Sequence, residues 1–158
     1  MVVLIVLVGV CCCLRQQASR LRVHADEIQP MGGAEMAVEL GAASGDHLGQ
    51  ISDAGIAAMA ASDTVGVLLP GTIFFLAKPG YAPARKMIEA GCAVALATDF
   101  NPGSSHTQSM TMIHTIACTQ MKMSPEECIA ATTINPAFSL QLDHEVGTLH
   151  PGKRADLC

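Results

Sequence analysis

Three short stretches of the chain combine histidines and carboxylates in ways that suit hydrolytic chemistry. The first is His24-Ala25-Asp26-Glu27. A neutral imidazole is a good ligand for zinc or ferrous iron, and a carboxylate three residues on is suited to handling substrate protons. The second is Asp46-His47-Leu48, where His47 is suited to hold a metal or activate its water. A hydrogen-bonded structural histidine is the alternative there. The third runs Ala97-Thr98-Asp99-Phe100-Asn101-Pro102-Gly103-Ser104. Asp99 ends an apolar stretch and needs a cation, hydrogen-bond donors or solvent, because a buried unpaired carboxylate is costly. The loop after it offers backbone N–H groups at Gly103 and Ser104, which suit an anionic substrate group. The other histidines read as structural or solvated. His114 falls on the apolar face of a helix, and His106, His144 and His150 lie in polar or turn segments.

Those residues need elements to bring them together. Apolar, strand-like segments at 21–24, 42–48, 65–70 and 93–99 alternate with segments of helical periodicity. Ala34, Ala37 and Val38 share one helical face, and Gly41 is placed to stop that helix. Ser52 reads as the N-cap of a second helix, with Ile56, Met59 and Ala60 on its buried face. Pro83 sits in the first turn of a third, which Gly91 ends. Further on, Met110, Ile113, Ala117, Cys118 and Met121 form a stripe. Ser124-Pro125-Glu126-Glu127 has the form of a capping box, and Asn135-Pro136 restarts a short helix. Residues 147–157 are turn-rich and are expected to lead into a strand.

This rhythm is that of β-α units in a parallel sheet, an α/β fold. A doubly wound nucleotide-binding sheet needs a glycine-rich phosphate loop, and no G-x-G-x-x-G occurs. The Walker-like run from Gly147 to Lys153 has Arg154 where Ser or Thr must hold magnesium, so it reads as chance. A (β/α)8 barrel fits better, because residues at the C-terminal ends of its strands converge on one face. His24, His47 and Asp99 sit at such ends.

Composition narrows the function classes. Half of the 158 residues are hydrophobic and 15% are charged, which excludes intrinsic disorder. The net charge of −5, the absence of Trp and the lack of any basic run give no footing for nucleic acid. The apolar run at 2–14 is too short to span a bilayer and has no basic residue before it, as a secretory signal would. It reads either as a buried strand or as a stretch outside the fold. Seven cysteines, three of them adjacent at Cys11, Cys12 and Cys13, show no C-x-x-C spacing, so they read as reduced thiols.

Taken together, the motifs VHADEI (23–28), DHL (46–48), VLLPGTIFFL (67–76), YAPARKMIEAG (81–91) and ALATDFNPGSS (95–105) resemble the imidazolonepropionase family of the amidohydrolase superfamily. The tail, MSPEECIAATTINPAFSL and GTLHPGKRADL, resembles the superfamily's general C-terminal signature. The resemblance implies a cytoplasmic hydrolase of histidine degradation. Such an enzyme opens 4-imidazolone-5-propanoate to N-formimidoyl-L-glutamate with one zinc or iron ion. It implies a (β/α)8 barrel with a small β-sandwich, a small-molecule substrate, and a homo-oligomer when full length. His24 and Asp99 resemble metal ligands of the fifth and eighth strands. Glu27 resembles a substrate-contacting carboxylate, and His47 the sixth-strand histidine beside the attacked carbonyl. Asn101, Gly103 and Ser104 resemble the loop that holds substrate.

The family also carries an H-x-H pair on its first barrel strand, and none occurs here. A whole barrel takes about 250 residues. The chain therefore reads as barrel strands five to eight over 21–146, with the sandwich beginning at 147–158. Residues 1–20 read as an atypical segment outside the family fold, as a truncated or frame-shifted reading would give. Two unpaired sheet edges and an incomplete ligand set predict weak metal binding, association and little activity for the chain alone. The other readings are a different metal-dependent amidohydrolase such as a cyclic deaminase, or a non-catalytic association module.

Overall fold

The structure, a computed structural model, describes residues 21–156. The expectations for residues 1–20 and for Cys158 lie outside that range.

Four short strands, β1 (Arg22–Ala25), β2 (Ser44–His47), β3 (Val65–Leu68) and β4 (Val94–Leu96), form one sheet in the order β1-β2-β3-β4. Every pair is parallel, with His24 opposite Asp46 and Asp46 opposite Val67. Parallel neighbours need crossovers, and helices supply them. These are α1 (Gly33–Glu39), α2 (Asp53–Ala60), and the pair α3 (Pro70–Phe75) and α4 (Ala84–Glu89). Three further helices, α5 (Met110–Gln120), α6 (Pro125–Thr132) and α7 (Ile134–Ser139), follow β4. Among the described residues, β1 and β4 each have one strand neighbour, and no helix is long and apolar enough to cross a membrane.

The core lies between the sheet's helix-covered face and those helices. Val23, Ala25, Leu68, Val94 and Leu96 meet Ala34, Met59, Met87 and Ile113, all buried. Glycine makes this packing possible where helix and strand nearly touch. A Cβ at Gly33 would lie 3.0 Å from the Ala25 backbone, and one at Gly66 2.7 Å from Met87. At the opposite end, α7 ties the strand starts together. Arg22 donates to the hydroxyls of Ser44 and Ser139, and Asn135 Nδ2 donates to the Val94 carbonyl.

Several local expectations hold in detail. The Ser52 side chain caps α2 by accepting from the Gly55 amide, and Gly41 takes φ 63 after α1. Ser124 and Glu127 form a full capping box with Pro125 in the first turn of α6. His114 is half-buried with Thr132 as its partner, and the other three non-site histidines are exposed. Three expectations need correction. The strand expected over 65–70 ends at Leu68, because Pro70 has no N–H for a ladder and instead opens α3. The strand expected over 93–99 ends at Leu96, and Asp99 at φ 49 has left extended backbone. Pro83 is the N-cap of α4, just outside its first turn. Residues 147–156 run in turns and bends.

Candidate metal centre

The strand ends bring part of the expected constellation together. His24, in β1, and His47, closing β2, stand in neighbouring parallel strands, and Nδ1 of His24 lies 3.0 Å from Nε2 of His47. Glu27, two residues past β1, reaches back so that its Oε2 lies 3.9 Å from His47 Nε2. One ligating atom from each of the three falls within 4.8 Å of the others. The His47 side chain is 8% exposed, that of Glu27 is 36% exposed and His24 is exposed, so the group opens to solvent at His24 and Glu27 and is closed behind His47. Beside it lies a small cavity of about 10 Å³, lined by Glu27, His47, Leu69, Pro70, Ile73 and Met121.

This trio fits a divalent ion. Two imidazole lone pairs facing each other at 3.0 Å repel unless one nitrogen carries a proton or both share a cation. Two nitrogens about 2.0–2.1 Å from one tetrahedral ion stand about 3.3 Å apart, a few tenths of an ångström more than the separation here. Two imidazoles and a carboxylate are also a donor set that zinc and ferrous iron accept. Asp46, opposite His24 in the sheet, has a buried Oδ1 with no hydrogen-bond partner among the described residues.

Asp99 is not part of this trio. It follows β4 at the far side of the sheet, where its Oδ2 accepts a 2.7 Å hydrogen bond from Thr72 Oγ1. Thr72 is held there because Gly71 lets α3 approach the loop. A Cβ at Gly71 would lie 2.8 Å from Ser105 Oγ and 3.2 Å from the Thr98 carbonyl.

In the Asn101 loop, one sequence expectation changes. The Gly103 and Ser104 amides do not point free toward a ligand. Both donate to Asn101 Oδ1 at 2.8 Å, while Asn101 Nδ2 donates to the Asp99 carbonyl and to Ser104 Oγ. Asn101 thus folds the loop on itself, the usual behaviour of an Asx turn.

Two residues that shape the site carry little signal in the sequence. Asp26 precedes Glu27 and is 7% exposed. Its carboxylate accepts from the amides of Met31, Gly33 and Ala34, which fixes the loop holding Glu27 against the start of α1. Thr72 is the other, and it was hidden by the extension of β3 into α3. Three strand-end residues, Asp26 (φ 47), His47 (φ 75) and Asp99 (φ 49), take left-handed backbone. That conformation is disfavoured for residues other than glycine and clusters where structure serves a site.

Known proteins share both the sequence and the architecture. The chain is 55% identical over 136 residues to an imidazolonepropionase of Geobacillus kaustophilus, covering 86% of this chain and 32% of that protein. It is 51% identical over 138 residues to an imidazolonepropionase of Treponema denticola, covering 87% and 33%. It thus spans about a third of the length of the curated relatives it matches. Among solved structures, an adenosine deaminase from Xanthomonas campestris with bound zinc superposes with a TM-score of 0.76 at 21% identity. That superposition covers 92% of this chain and 38% of the deaminase, and at such identity it speaks for the fold alone. The Amidohydrolase family profile matches residues 20–158, which takes in every described strand, helix and site residue. The chain therefore belongs to the amidohydrolase family.

Proposed function

We propose that this chain supplies barrel strands five to eight of a cytoplasmic imidazolonepropionase, homo-oligomeric when whole, which hydrolyses 4-imidazolone-5-propanoate to N-formimidoyl-L-glutamate. The observation that carries this reading is the 51–55% identity to imidazolonepropionases across residues that include both histidines and both carboxylates of the site. The convergence of His24, His47 and Glu27 supports it. In this reading residues 147–158 begin the C-terminal sandwich and residues 1–20 stand outside the family fold.

In this reading His24 and, from the opposite edge of the sheet, Asp99 would hold one divalent ion, zinc or iron, completed by ligands from the rest of the barrel, and His47 and Glu27, gathered around His24, would stand beside it. Bound there, such an ion supplies a Lewis acid and lowers the pKa of water toward about 7. His47 donates a hydrogen bond to the ring carbonyl as negative charge develops on its oxygen. Glu27 contacts the substrate, and one carboxylate, Glu27 or Asp99, takes the proton of the attacking water. The same carboxylate then delivers that proton to the leaving ring nitrogen as the amide C–N bond breaks. Asn101, Gly103 and Ser104 receive the propanoate, whose carboxylate takes the place of Asn101 Oδ1 at the two loop amides.

Grafting residues 21–156 into the matching segment of the Geobacillus kaustophilus enzyme tests this. The chimera is expected to consume 4-imidazolone-5-propanoate, and Glu27→Gln and His47→Ala are expected to lower kcat. A folded chimera that ignores this substrate but releases ammonia from a cyclic amidine or aminopyrimidine would contradict it.

A further inference from the structure

Away from the strand ends, α5 and α6 place two thiols in contact. Cys118 Sγ lies 3.6 Å from Cys128 Sγ, across the tight turn joining the two helices. The pair is held in place from several sides. The capping box of Ser124 and Glu127 fixes the start of α6. Arg85 donates to the Lys122 carbonyl and pairs with Glu127, clamping the turn against α4. Cys128 is fully buried and Cys118 half-buried, so reagents reach the pair from the Cys118 side. Cys92, the third described cysteine, faces the Ile56 carbonyl instead.

We propose that Cys118 and Cys128 are an oxidisable dithiol that closes to an intramolecular disulfide on exposure to a peroxide. The sulfurs, 3.6 Å apart, must approach by about 1.5 Å to reach the bonded distance of about 2.05 Å. Cys118 is the first to react. Its thiolate attacks one peroxide oxygen, the O–O bond breaks, and hydroxide leaves and is protonated to water, giving a sulfenic acid. The Cys128 sulfur then attacks the Cys118 sulfur, the S–O bond breaks, and the hydroxyl leaves with the Cys128 proton as a second water. Two thiols lose two electrons in total, and one peroxide becomes two waters. Burial, with Cys118 alongside, pushes the Cys128 thiol up to about 12, in keeping with its role as the second, slower partner.

The inference is independent of the proposed function and is tested on the full chain. The protein is treated with a small molar excess of hydrogen peroxide, its remaining thiols are alkylated, and it is digested with trypsin without reduction. Cleavage after Lys86, Lys122 and Lys153 puts Cys118 and Cys128 on separate peptides, 87–122 and 123–153. The expected product is those two peptides joined, two hydrogens lighter than their sum and separated by dithiothreitol. Tandem fragmentation distinguishes a link at Cys118 from one at Cys92 without any variant. Cys118→Ser should abolish the link, and guanidinium-unfolded chain should give a mixture of pairings. A link at Cys92, a Cys118 sulfinic acid with Cys128 still alkylatable, or the same pairing preference in unfolded chain would overturn the proposal.

Discussion

Asp26 is the residue on which the site's geometry most directly depends. Its carboxylate accepts from Gly33 at 3.1 Å and Ala34 at 2.9 Å, where α1 begins, and from Met31 at 2.8 Å. Asp26→Ala removes both acceptor oxygens and with them all three hydrogen bonds. Met31 is 79% exposed, so water replaces its partner readily. The Gly33 and Ala34 amides lie deeper, and each unsatisfied buried donor costs about 1–3 kcal/mol. Alanine also tolerates the left-handed backbone at φ 47 poorly, adding about 1 kcal/mol. The expected loss for Asp26→Ala is therefore about 3–7 kcal/mol, a large share of the roughly 5–15 kcal/mol a domain holds. Asp26→Asn keeps the left-handed tolerance and one acceptor oxygen, and should lose only about 1–2 kcal/mol. Urea unfolding followed by far-ultraviolet circular dichroism measures both, and the slope with denaturant should stay the same. An Asp26→Ala loss below about 1 kcal/mol, on a scale where N-cap losses alone reach about 2, would refute the reasoning.

Other perturbations act on separate parts of the fold. Ser124→Ala removes the N-cap of α6 and should cost about 1 kcal/mol in the same unfolding assay. The side-chain hydrogen bond from Arg85 and the Ser124 amide hold the Glu127 carboxyl below its ordinary value of 4.5. A depressed carboxylate stabilises the fold above its unfolded pKa, and this contribution fades as pH falls through the folded value. Stability measured from pH 6 downward should thus drop below about pH 4.5, and less steeply in Glu127→Gln. Gly71→Ala places a Cβ 2.8 Å from Ser105 Oγ and 3.2 Å from the Thr98 carbonyl, so the Asp99 loop must shift. In the chimera this should lower kcat, while Thr72→Val, which deletes only the hydrogen bond to Asp99, should have a smaller effect.

Much of this organisation was legible in the chain. Ser52, Gly41 and the Ser124 capping box announce helix ends through side-chain chemistry that acts within a few residues. The β-α rhythm gave the parallel sheet for the same reason, since each crossover is local. His24 and His47 were recognisable as strand-end residues. Their approach to 3.0 Å depends on the β1–β2 register, which aligns Ala25 with His47 across 22 residues. Thr72 and α3 escaped because the apolar run 65–70 continues past the point where Pro70 turns the chain. Asp26 escaped because its partners lie five to eight residues away, in a loop with no periodic pattern. The Gly103 and Ser104 amides looked free because a sequence does not reveal that Asn101 folds back on them.

Cobalt(II) titration of the full chain, with its accessible cysteines alkylated beforehand, tests the metal centre most directly. The account predicts weak binding of one ion per chain. The visible spectrum should show nitrogen and oxygen ligation without the near-ultraviolet band of cobalt–thiolate bonds. His24→Ala and His47→Ala should each weaken binding by at least about ten-fold, since even outer-shell partners of a metal cost that much. Binding left intact in both variants, or present only before the cysteines are alkylated, would contradict the assignment of these strand ends as a metal centre.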